Sequence, residues 1–415
     1  MKPVFLFFVF TMLCSCITKN VNSFEVKLDG SLQQELPISV NLDQLDLGPI
    51  GSKQEMVLLK EGDGNLVKVP FQWDKEGEEK FWFVHNPRET RTYHIEFQDE
   101  LPNVNTAVGY RETEGKLQLL LGKNPVTSYQ FKTQYPPKGI DSIYGKSGYV
   151  HPLITPKGDT LTRIQPPDHY HHYGIWGPWT RTKIEDRSVD FWNLGEGQGT
   201  VLFKEFGTMA AGDVFASLVA YQEHLDFGAE AENSIALNEK LELRLWSSKS
   251  KNRYVLDYTS TFNSPLESGL LFEAYRYGGG IGMRFTERWH KDNCKVLTSE
   301  GNDRLTADGS NARWCIVSGE SADGKGTSGI LFLSHPENRM HPEPMRVWPI
   351  YSNGGRGDMF FEFCPIRYEP WQIESRKEYQ LKYRMIVFDG ELGPEEAESY
   401  WQLFAHQPWT IVVND

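Results

Sequence analysis

The feature that most constrains the fold is a repeated alternation of apolar and polar residues along short segments. Residues 241–246 read Leu-Glu-Leu-Arg-Leu-Trp, and residues 379–385 alternate in the same way. Side chains alternate between the two faces of a β-strand, so this pattern predicts strands with one buried face. Similar segments, bounded by Gly, Pro, Asn or Asp, cover residues 117–121, 128–135, 254–262, 313–317, 329–334 and 359–363. The chain is therefore expected to be all-β and mainly antiparallel.

One segment predicts a helix instead, at residues 394–404. Pro394 stands in its first turn, acidic residues follow at the positive end of the helix dipole, and Tyr400, Trp401 and Phe404 form an apolar stripe. We expect a single C-terminal helix.

Two domains are expected. Residues 24–105 contain short strand patterns at the spacing of a small β-sandwich, and a polar segment at 98–106 is typical of a linker. The strand patterns of this first unit cover residues 24–28, 56–60, 67–73, 80–85 and 92–98. Residues 108–415 would form the larger antiparallel domain.

The first residues resemble an export signal. Met1 and Lys2 precede an apolar run from Pro3 to Leu13, which is too short to span a bilayer. Small residues before Cys16 resemble a bacterial lipobox, so residues 1–15 are interpreted as a signal peptide and residues 16–23 as a lipoprotein tether. Ordinary secretion is the alternative. The protein is expected in the cell envelope, in the periplasm or at the cell surface, touching the membrane only through a lipid on Cys16.

Composition narrows the class of partner. A net charge of −13 argues against nucleic acid or anionic lipid. Aromatic residues make up 13% of the chain, and their faces can stack on the apolar faces of sugar rings, which favours a carbohydrate ligand.

The densest group of chemically active residues is Pro166-Pro-Asp-His-Tyr-His-His-Tyr-Gly-Ile-Trp176. Histidine titrates near neutral pH and is the commonest metal ligand. If this stretch is extended, His169 and His171 point to one side and His172 to the other. His169 and His171 with a distant third ligand would suit a divalent metal, whereas Asp168 and His172 would suit an acid/base pair without metal. The sequence therefore indicates no certain cofactor, and a divalent metal remains an open alternative.

Three further segments carry candidate residues. Glu362 lies among apolar residues in Met-Phe-Phe-Glu-Phe, where burial would raise its pKa. Glu273, Arg276 and Arg284 flank three consecutive glycines, and the arginines could grip a carboxylate or sugar hydroxyls. His335 and His341 lie in a loop after a strand and could converge on the first cluster.

The chain resembles the DUF6807 family of secreted bacterial proteins. The resemblance rests on His151-Pro-Leu, on the Asp168–Trp176 motif and on Val189-Asp-Phe-Trp192, and it runs from about residue 119 to residue 389. Tyr173 departs from the pattern, which usually has Arg. Some family members carry the label methane oxygenase, which we reject because this sequence has no segment able to span a membrane.

The C-terminal part also resembles galactose mutarotase-like proteins, at Phe360–Pro365 and Arg376–Arg384. This resemblance implies a large antiparallel β-supersandwich and places Glu362 at the position of a catalytic glutamate. The same fold hosts other reactions on sugars, so it does not fix the activity.

Together these observations predict a carbohydrate-active enzyme that performs acid/base chemistry, namely hydrolysis, elimination or epimerisation. His171 or His172 would serve as one acid/base, Glu362 or Glu273 as the other, and Asp168 would orient an imidazole. The residues expected to bind substrate are His169, Trp176, Trp192, Arg276, Arg284, His335 and His341. Two alternatives stay open: a non-catalytic glycan-binding lipoprotein, and a metal-dependent enzyme that uses the His-x-His site.

Overall fold

The computed structural model describes residues 22–28, 34–45, 55–62, 64–74, 80–86, 88, 90–98, 106–229 and 234–414. The predicted signal peptide and Cys16 lie outside these residues. Strands dominate the described parts of the chain, which contain one α-helix, so the expected all-β class is confirmed. No helix in the described ranges is long and apolar enough to cross a bilayer.

The N-terminal unit is built from two small sheets that face each other. Its strands are β1 (Asn22–Leu28), β2 (Leu36–Asn41), β3 (Glu55–Gly62), β4 (Asn65–Val69), β5 (Phe71–Asp74), β6 (Lys80–His85) and β7 (Thr92–Gln98). One sheet contains β1, β7, β3 and β4 in that order, and the other contains β2, β6 and β5. Phe24, Ile38, Phe83 and Tyr93 pack in the core between them.

The strands of the large unit up to its middle are β8 (Val108–Thr113), β9 (Lys116–Leu121), β10 (Asn124–Gln130), β11 (Tyr149–Leu153), β12 (Ile175–Trp176), β13 (Thr182–Ile184), β14 (Arg187–Val189), β15 (Gly199–Ala210), β16 (Phe215–Asp226), β17 (Ser234–Trp246) and β18 (Arg253–Asn263). The remaining elements are β19 (Leu270–Phe272), β20 (Ile281–Arg284), β21 (Cys294–Thr298), β22 (Asn311–Ala312), β23 (Trp314–Glu320), β24 (Thr327–Ser334), β25 (Glu343–Val347), β26 (Phe360–Phe363), β27 (Trp371–Ile373), β28 (Tyr379–Asp389), α1 (Pro394–His406) and β29 (Trp409–Asn414). Short 3-10 helices occur at Leu42–Gln44, Ser142–Tyr144 and Leu194–Glu196.

Two large antiparallel sheets sandwich the main core. The eight-stranded sheet runs β15-β16-β17-β18-β28-β24-β23-β21, and the nine-stranded sheet runs β22-β25-β26-β20-β12-β11-β10-β9-β8. A third sheet of four strands, β14-β13-β19-β27, adjoins them. The alternation read from residues 241–246 is confirmed in β17, where Leu241, Leu243 and Leu245 are buried in the core.

The last strand returns to the N-terminal unit. Strand β29 pairs antiparallel with β1, and Leu403 of helix α1 packs into the N-terminal core. The domain boundaries 24–105 and 108–415 remain a prediction, and the pairing adds the end of the chain to the first unit. The helix expected at 394–404 is confirmed as α1.

One predicted strand is shorter than expected. The pattern at 128–135 predicted a strand throughout, but β10 ends at Gln130. The chain then leaves the sheet towards Pro136 and Pro137, which have no amide hydrogen to offer a neighbouring strand.

The nine-stranded sheet has one face in the main core and one face turned away from it. On β26, Phe361 and Phe363 lie in the main core, so Phe360 and Glu362 lie on the opposite face. Strand β20 behaves in the same way, with Ile281 and Met283 in the core and Arg284 opposite. We call this second surface of the sheet, formed by β25, β26, β20, β12 and β11, the site face.

Candidate active site on the nine-stranded sheet

The histidine-rich segment forms consecutive turns between β11 and β12, so the extended segment considered from the sequence is not what the structure shows. The amide of His169 donates to the carbonyl of Pro166 over 2.9 Å, and that of His172 donates to the carbonyl of His169 over 3.0 Å. Gly174 has a φ of 59°, and a Cβ there would lie 2.3 Å from a backbone oxygen of β11. Glycine is therefore required where the segment enters β12. The prolines and Asp168 favour turns, and the turns bring the imidazoles together.

The three imidazole rings contact one another. His169 stacks on His172 with ring centroids 4.6 Å apart, and His171 stands edge-on to both, at 5.3 and 4.8 Å. His172 is 1% exposed, whereas the side chain of His169 is 36% exposed. His169 is therefore far more open to solvent or a ligand than the ring on which it stacks.

Asp168 orients His169. The Nδ1 of His169 lies 2.8 Å from the Oδ2 of Asp168. Burial alone would raise the pKa of this carboxyl, but the hydrogen bond with His169 and the charge of Arg284 lower it below its usual value. Because Asp168 is ionised, Nδ1 of His169 donates to it, and Nε2 keeps its lone pair when the ring is neutral. The Asp168–His172 pair considered from the sequence is replaced by an Asp168–His169 pair.

Arg284 connects the histidines to a second carboxylate. Its Nη2 donates to Asp168 over 2.7 Å and to Asp358 over 2.8 Å. Its Nη1 lies 3.4 Å from Nδ1 of His172, and since a guanidinium only donates, that Nδ1 accepts. The guanidinium also lies 4.5 Å from the ring centre of Trp348. The structure thus brings Arg284 into the histidine cluster, as expected.

Asp358 is a member of the cluster that the sequence analysis missed. Its Oδ2 accepts from Asn353 over 3.0 Å and lies 3.7 Å from Nη1 of Arg163, and its Oδ1 accepts from Arg356. The available signal was Gly354-Gly-Arg-Gly-Asp358, a glycine-rich turn that ends in a carboxylate just before a strand. Trp348, after β25, was missed as well.

Aromatic side chains surround the histidines on the site face. His172 lies 5.2 Å from Trp176, 5.3 Å from Phe360 and 6.3 Å from Trp192 between ring centres. Trp176 and Trp192, expected to stack on substrate, are 2% and 3% exposed. They form the aromatic layer that supports the cluster, and the indole Nε1 of Trp176 is buried without a hydrogen-bond partner in the described part of the chain.

Glu362 lies on the site face, two residues from Phe360, in a polar group of its own. Its Oε1 accepts from the amide of Gly278 over 2.6 Å, while Oε2 is buried without a partner among the described residues. Arg346 stands opposite on β25 and donates to Asp308 over 2.5 Å and to the hydroxyl of Tyr277 over 3.2 Å. Glu362 therefore shares the site face with the histidines without contacting them.

Four other predicted residues lie apart from the histidine cluster. Glu273 follows β19 in the four-stranded sheet, and Arg276 is exposed with its guanidinium 5.4 Å from the ring of Tyr277. His335 packs against Phe404 at 5.1 Å, and His341 stacks on Trp401 at 5.9 Å. Both histidines therefore lie against helix α1. The separation arises because their loop follows β24, a strand of the eight-stranded sheet.

The protonation states on the site face follow from burial. Burial lowers the pKa of His171 to about 4, helped by the charges of His169 and Arg284, and it lowers the pKa of His172 well below its usual value. Burial also raises the pKa of Glu362 well above its usual value, against the hydrogen bond from Gly278. Burial therefore favours the neutral forms of the His171 and His172 imidazoles and of the Glu362 carboxyl.

A convergent metal site is not seen among the described residues, because no group of three His, Cys, Asp or Glu side chains is arranged to hold an ion.

Comparison with known proteins identifies the family. Residues 116–402, more than half of the chain, match a family described as "Family of unknown function (DUF6807)". The chain belongs to the DUF6807 family. The resemblance seen in the motif around Asp168 is thereby confirmed. Tyr173, which departs from the family pattern, is buried with its hydroxyl 2.7 Å from Nε2 of Gln165, and Arg284 supplies a cation beside the histidines.

No curated protein matches the chain. Among solved structures, a galactose mutarotase-like protein from Lactobacillus casei is similar at 9% identity, covering 68% of this chain and 99% of that one, with a TM-score of 0.35. A galactose mutarotase related enzyme from Lactobacillus acidophilus shares 9% identity over 69% of this chain and 100% of that one, with a TM-score of 0.33. An alpha-galactosidase from Lactobacillus brevis shares 8% identity over 69% of this chain and 40% of that one, with a TM-score of 0.29. Scores this low support no assignment of activity.

Proposed function

We propose that the protein is a carbohydrate-active enzyme that transfers protons at a sugar centre, in hydrolysis, elimination or epimerisation. The observation that carries the proposal is the Asp168–His169 pair, with an oriented imidazole that is 36% exposed. A carboxylate that holds one ring nitrogen as a donor leaves the other as a base, which is the arrangement used in general base catalysis.

The surroundings of this pair suit a sugar. Tyr144 and Tyr277 are half-buried and pack against the buried aromatic cluster around the histidines, and such rings can pack against the apolar faces of sugars. Arg284 lies beside the pair and can donate to hydroxyl or carboxylate oxygens if its bonds rearrange. In this proposal His169 acts as the base, half-buried His171 is a neutral hydrogen-bonding partner of the substrate, and buried His172 supports both rings.

Glu362 is proposed as the matching acid. Its carboxyl, whose pKa burial raises well above the usual value, lies on the same face beyond the ring of Phe360 and has one oxygen without a partner among the described residues. In hydrolysis His169 would take the proton of the attacking water, while Glu362 gives its proton to the leaving oxygen of the same glycosidic bond.

The proposal is tested by incubating the mature protein with a library of glycans, with and without a chelator, and following products by mass spectrometry. We expect product from at least one glycan in both conditions. Product that appears only without chelator would favour a metal-dependent enzyme. Binding without any product would favour a glycan-binding lipoprotein.

We also propose that the protein is attached to the cell envelope by a lipid on Cys16. The support is the apolar run followed by Leu13-Cys-Ser-Cys16, a pattern typical of lipoprotein signals. Carbohydrate would be its partner outside the cytoplasm.

A further inference from the structure

Positive charge exceeds negative charge around the histidines, although the chain as a whole carries −13. Half-buried Asp168 and buried Asp358 both accept from Arg284, and Asp358 also lies beside two more guanidiniums. Those further arginines are Arg163, which also pairs with the exposed Glu287 at 3.3 Å, and Arg356. A fourth arginine, Arg304, donates from its Nη2 to the backbone carbonyls of Gly357 and Asp358 rather than to a carboxylate. Four guanidiniums therefore face three carboxylates, one of them at the surface.

The Glu362 end of the same face shows the same imbalance. Arg346 and Arg367 both reach Asp308, at 2.5 and 3.2 Å. Burial raises the pKa of Glu362, opposite Arg346 on the neighbouring strand, well above its usual value, which disfavours a negative charge there. Two guanidiniums share one carboxylate here, so the whole face carries uncompensated positive charge.

Unpaired hydrogen-bond donors lie on this face as well. In the described ranges, the Nε1 atoms of Trp176 and Trp348 and the Nε of Arg346 are buried without an acceptor. Trp348 is 4% exposed and lies 5.6 Å from His172 between ring centres. A buried donor without an acceptor destabilises the protein, so acceptors from a ligand would complete this face.

We infer that the sugar bound at the site face carries a carboxylate, as a uronic acid does. A carboxylate is acceptor-only and pairs with a guanidinium through two parallel hydrogen bonds, so it supplies both the charge and the acceptors that the face lacks. The hydroxyls of a neutral sugar bring donors with their acceptors and no charge. The inference rests on the proposed function and specifies its substrate class.

The side chains of His169 and Arg356, 36% and 40% exposed, mark where the face meets solvent. Arg356 is therefore the guanidinium that an incoming carboxylate meets first. Replacing Arg356 removes one partner of Asp358 but leaves the bonds of Asp358 to Arg284 and Asn353, whereas replacing the fully buried Arg284 would remove the centre of the network.

The experiment measures binding of the mature protein by calorimetry. The ligands are oligogalacturonate and oligoglucuronate, their methyl esters, the matching neutral oligosaccharides and a sulfated oligosaccharide, each at low and high salt. We expect the uronates to bind at least tenfold more tightly than the esters and neutral sugars, and their affinity to fall with salt.

Arg356→Gln should weaken uronate binding about tenfold. Arg376→Gln, at a 75% exposed side chain near Glu267, is the matched control and should change nothing.

Equal binding of uronates and their methyl esters would overturn the inference. If neutral glycans are converted to product at the same time, the proposed function stands and only the charge assignment falls. If only the sulfated sugar binds tightly, the inference that the bound sugar carries a carboxylate is wrong. If no sugar binds and no library glycan is converted, the inference and the proposed function both fall.

Discussion

A histidine acts as a base near neutral pH only when one ring nitrogen keeps a lone pair that can reach the substrate. Asp168 secures this for His169 by accepting from Nδ1, while Arg284 secures the opposite tautomer in His172. Neighbouring histidines in one short segment therefore take different roles. The burial that lowers the pKa of His171 to about 4 keeps that ring neutral over the physiological range.

At the residue scale, Glu362→Gln should lower kcat by about 10²–10⁴-fold on any glycan that the enzyme converts. Glutamine keeps the shape and can still accept from the amide of Gly278, but it has no proton to give. The measurement is steady-state turnover together with a urea unfolding curve. Stability should change little because burial already disfavours the charged form of the native carboxyl.

The control for this substitution is Glu343→Gln. Glu343 is also fully buried with a raised pKa, but it lies in the main core, where Ser334 and Tyr383 donate to it over 2.8 Å. Its replacement should leave turnover intact. Equal turnover in wild type and the Glu362 variant would remove Glu362 from the mechanism.

At the scale of elements, strand β25 serves both faces of its sheet. Glu343, Met345 and Val347 face the main core, and Arg346 faces the site. Burial raises the pKa of Glu343 from 4.5 to about 7, against hydrogen bonds from Ser334, Tyr383 and Asn338. The neutral acid therefore stabilises the fold below pH 4.5, and this contribution is lost as the pH rises through 7.

The resulting prediction concerns stability against pH. Between pH 4 and pH 8 the free energy of unfolding of wild type should fall by about 3 kcal/mol relative to that of Glu343→Gln, at about 1.4 kcal/mol per pKa unit. Urea unfolding at pH 4, 6 and 8 measures the difference. Parallel pH curves for the two proteins would contradict a raised pKa at this position.

Elements whose pattern is local were predictable from the sequence, and groups assembled from distant strands were not. Helix α1 and strand β17 follow from periodicity within their own residues. The partners of Arg284 could not be read in this way, because Asp358 reaches it only through the pairing of β26 with β20. His335 and His341 looked similar to the first cluster in sequence, but strand order places them against helix α1.

At the scale of the molecule, the two units contact each other through polar and aromatic groups. The side chain of Gln72 on β5 bonds the backbone of Val214 and Phe215, and Trp82 lies 5.0 Å from Trp246 between ring centres. With β29 paired to β1, the beginning and the end of the described chain meet in one sheet. An anchor before β1 would therefore hold the molecule by its N-terminal unit. The site face lies on the other, larger unit.

The anchor gives a prediction for the whole molecule. Cys16→Ser should block lipid modification, so that the protein leaves the membrane fraction or accumulates as precursor. Cys14→Ser, two residues earlier, is the control and should leave modification intact. Fractionation and intact mass measure both. A Cys16 variant that stays processed and membrane-bound would favour another means of attachment.

The most direct test of the acid/base account is a double-mutant cycle at Asp168 and His169. The values of kcat/KM are measured for wild type, Asp168→Asn, His169→Gln and the double variant on a glycan that the enzyme converts. Because Asp168 acts through His169, we expect His169→Gln to lose about 10²–10⁴-fold and the double variant to lose no more. Full activity in His169→Gln, or losses that simply multiply in the double variant, would contradict the account.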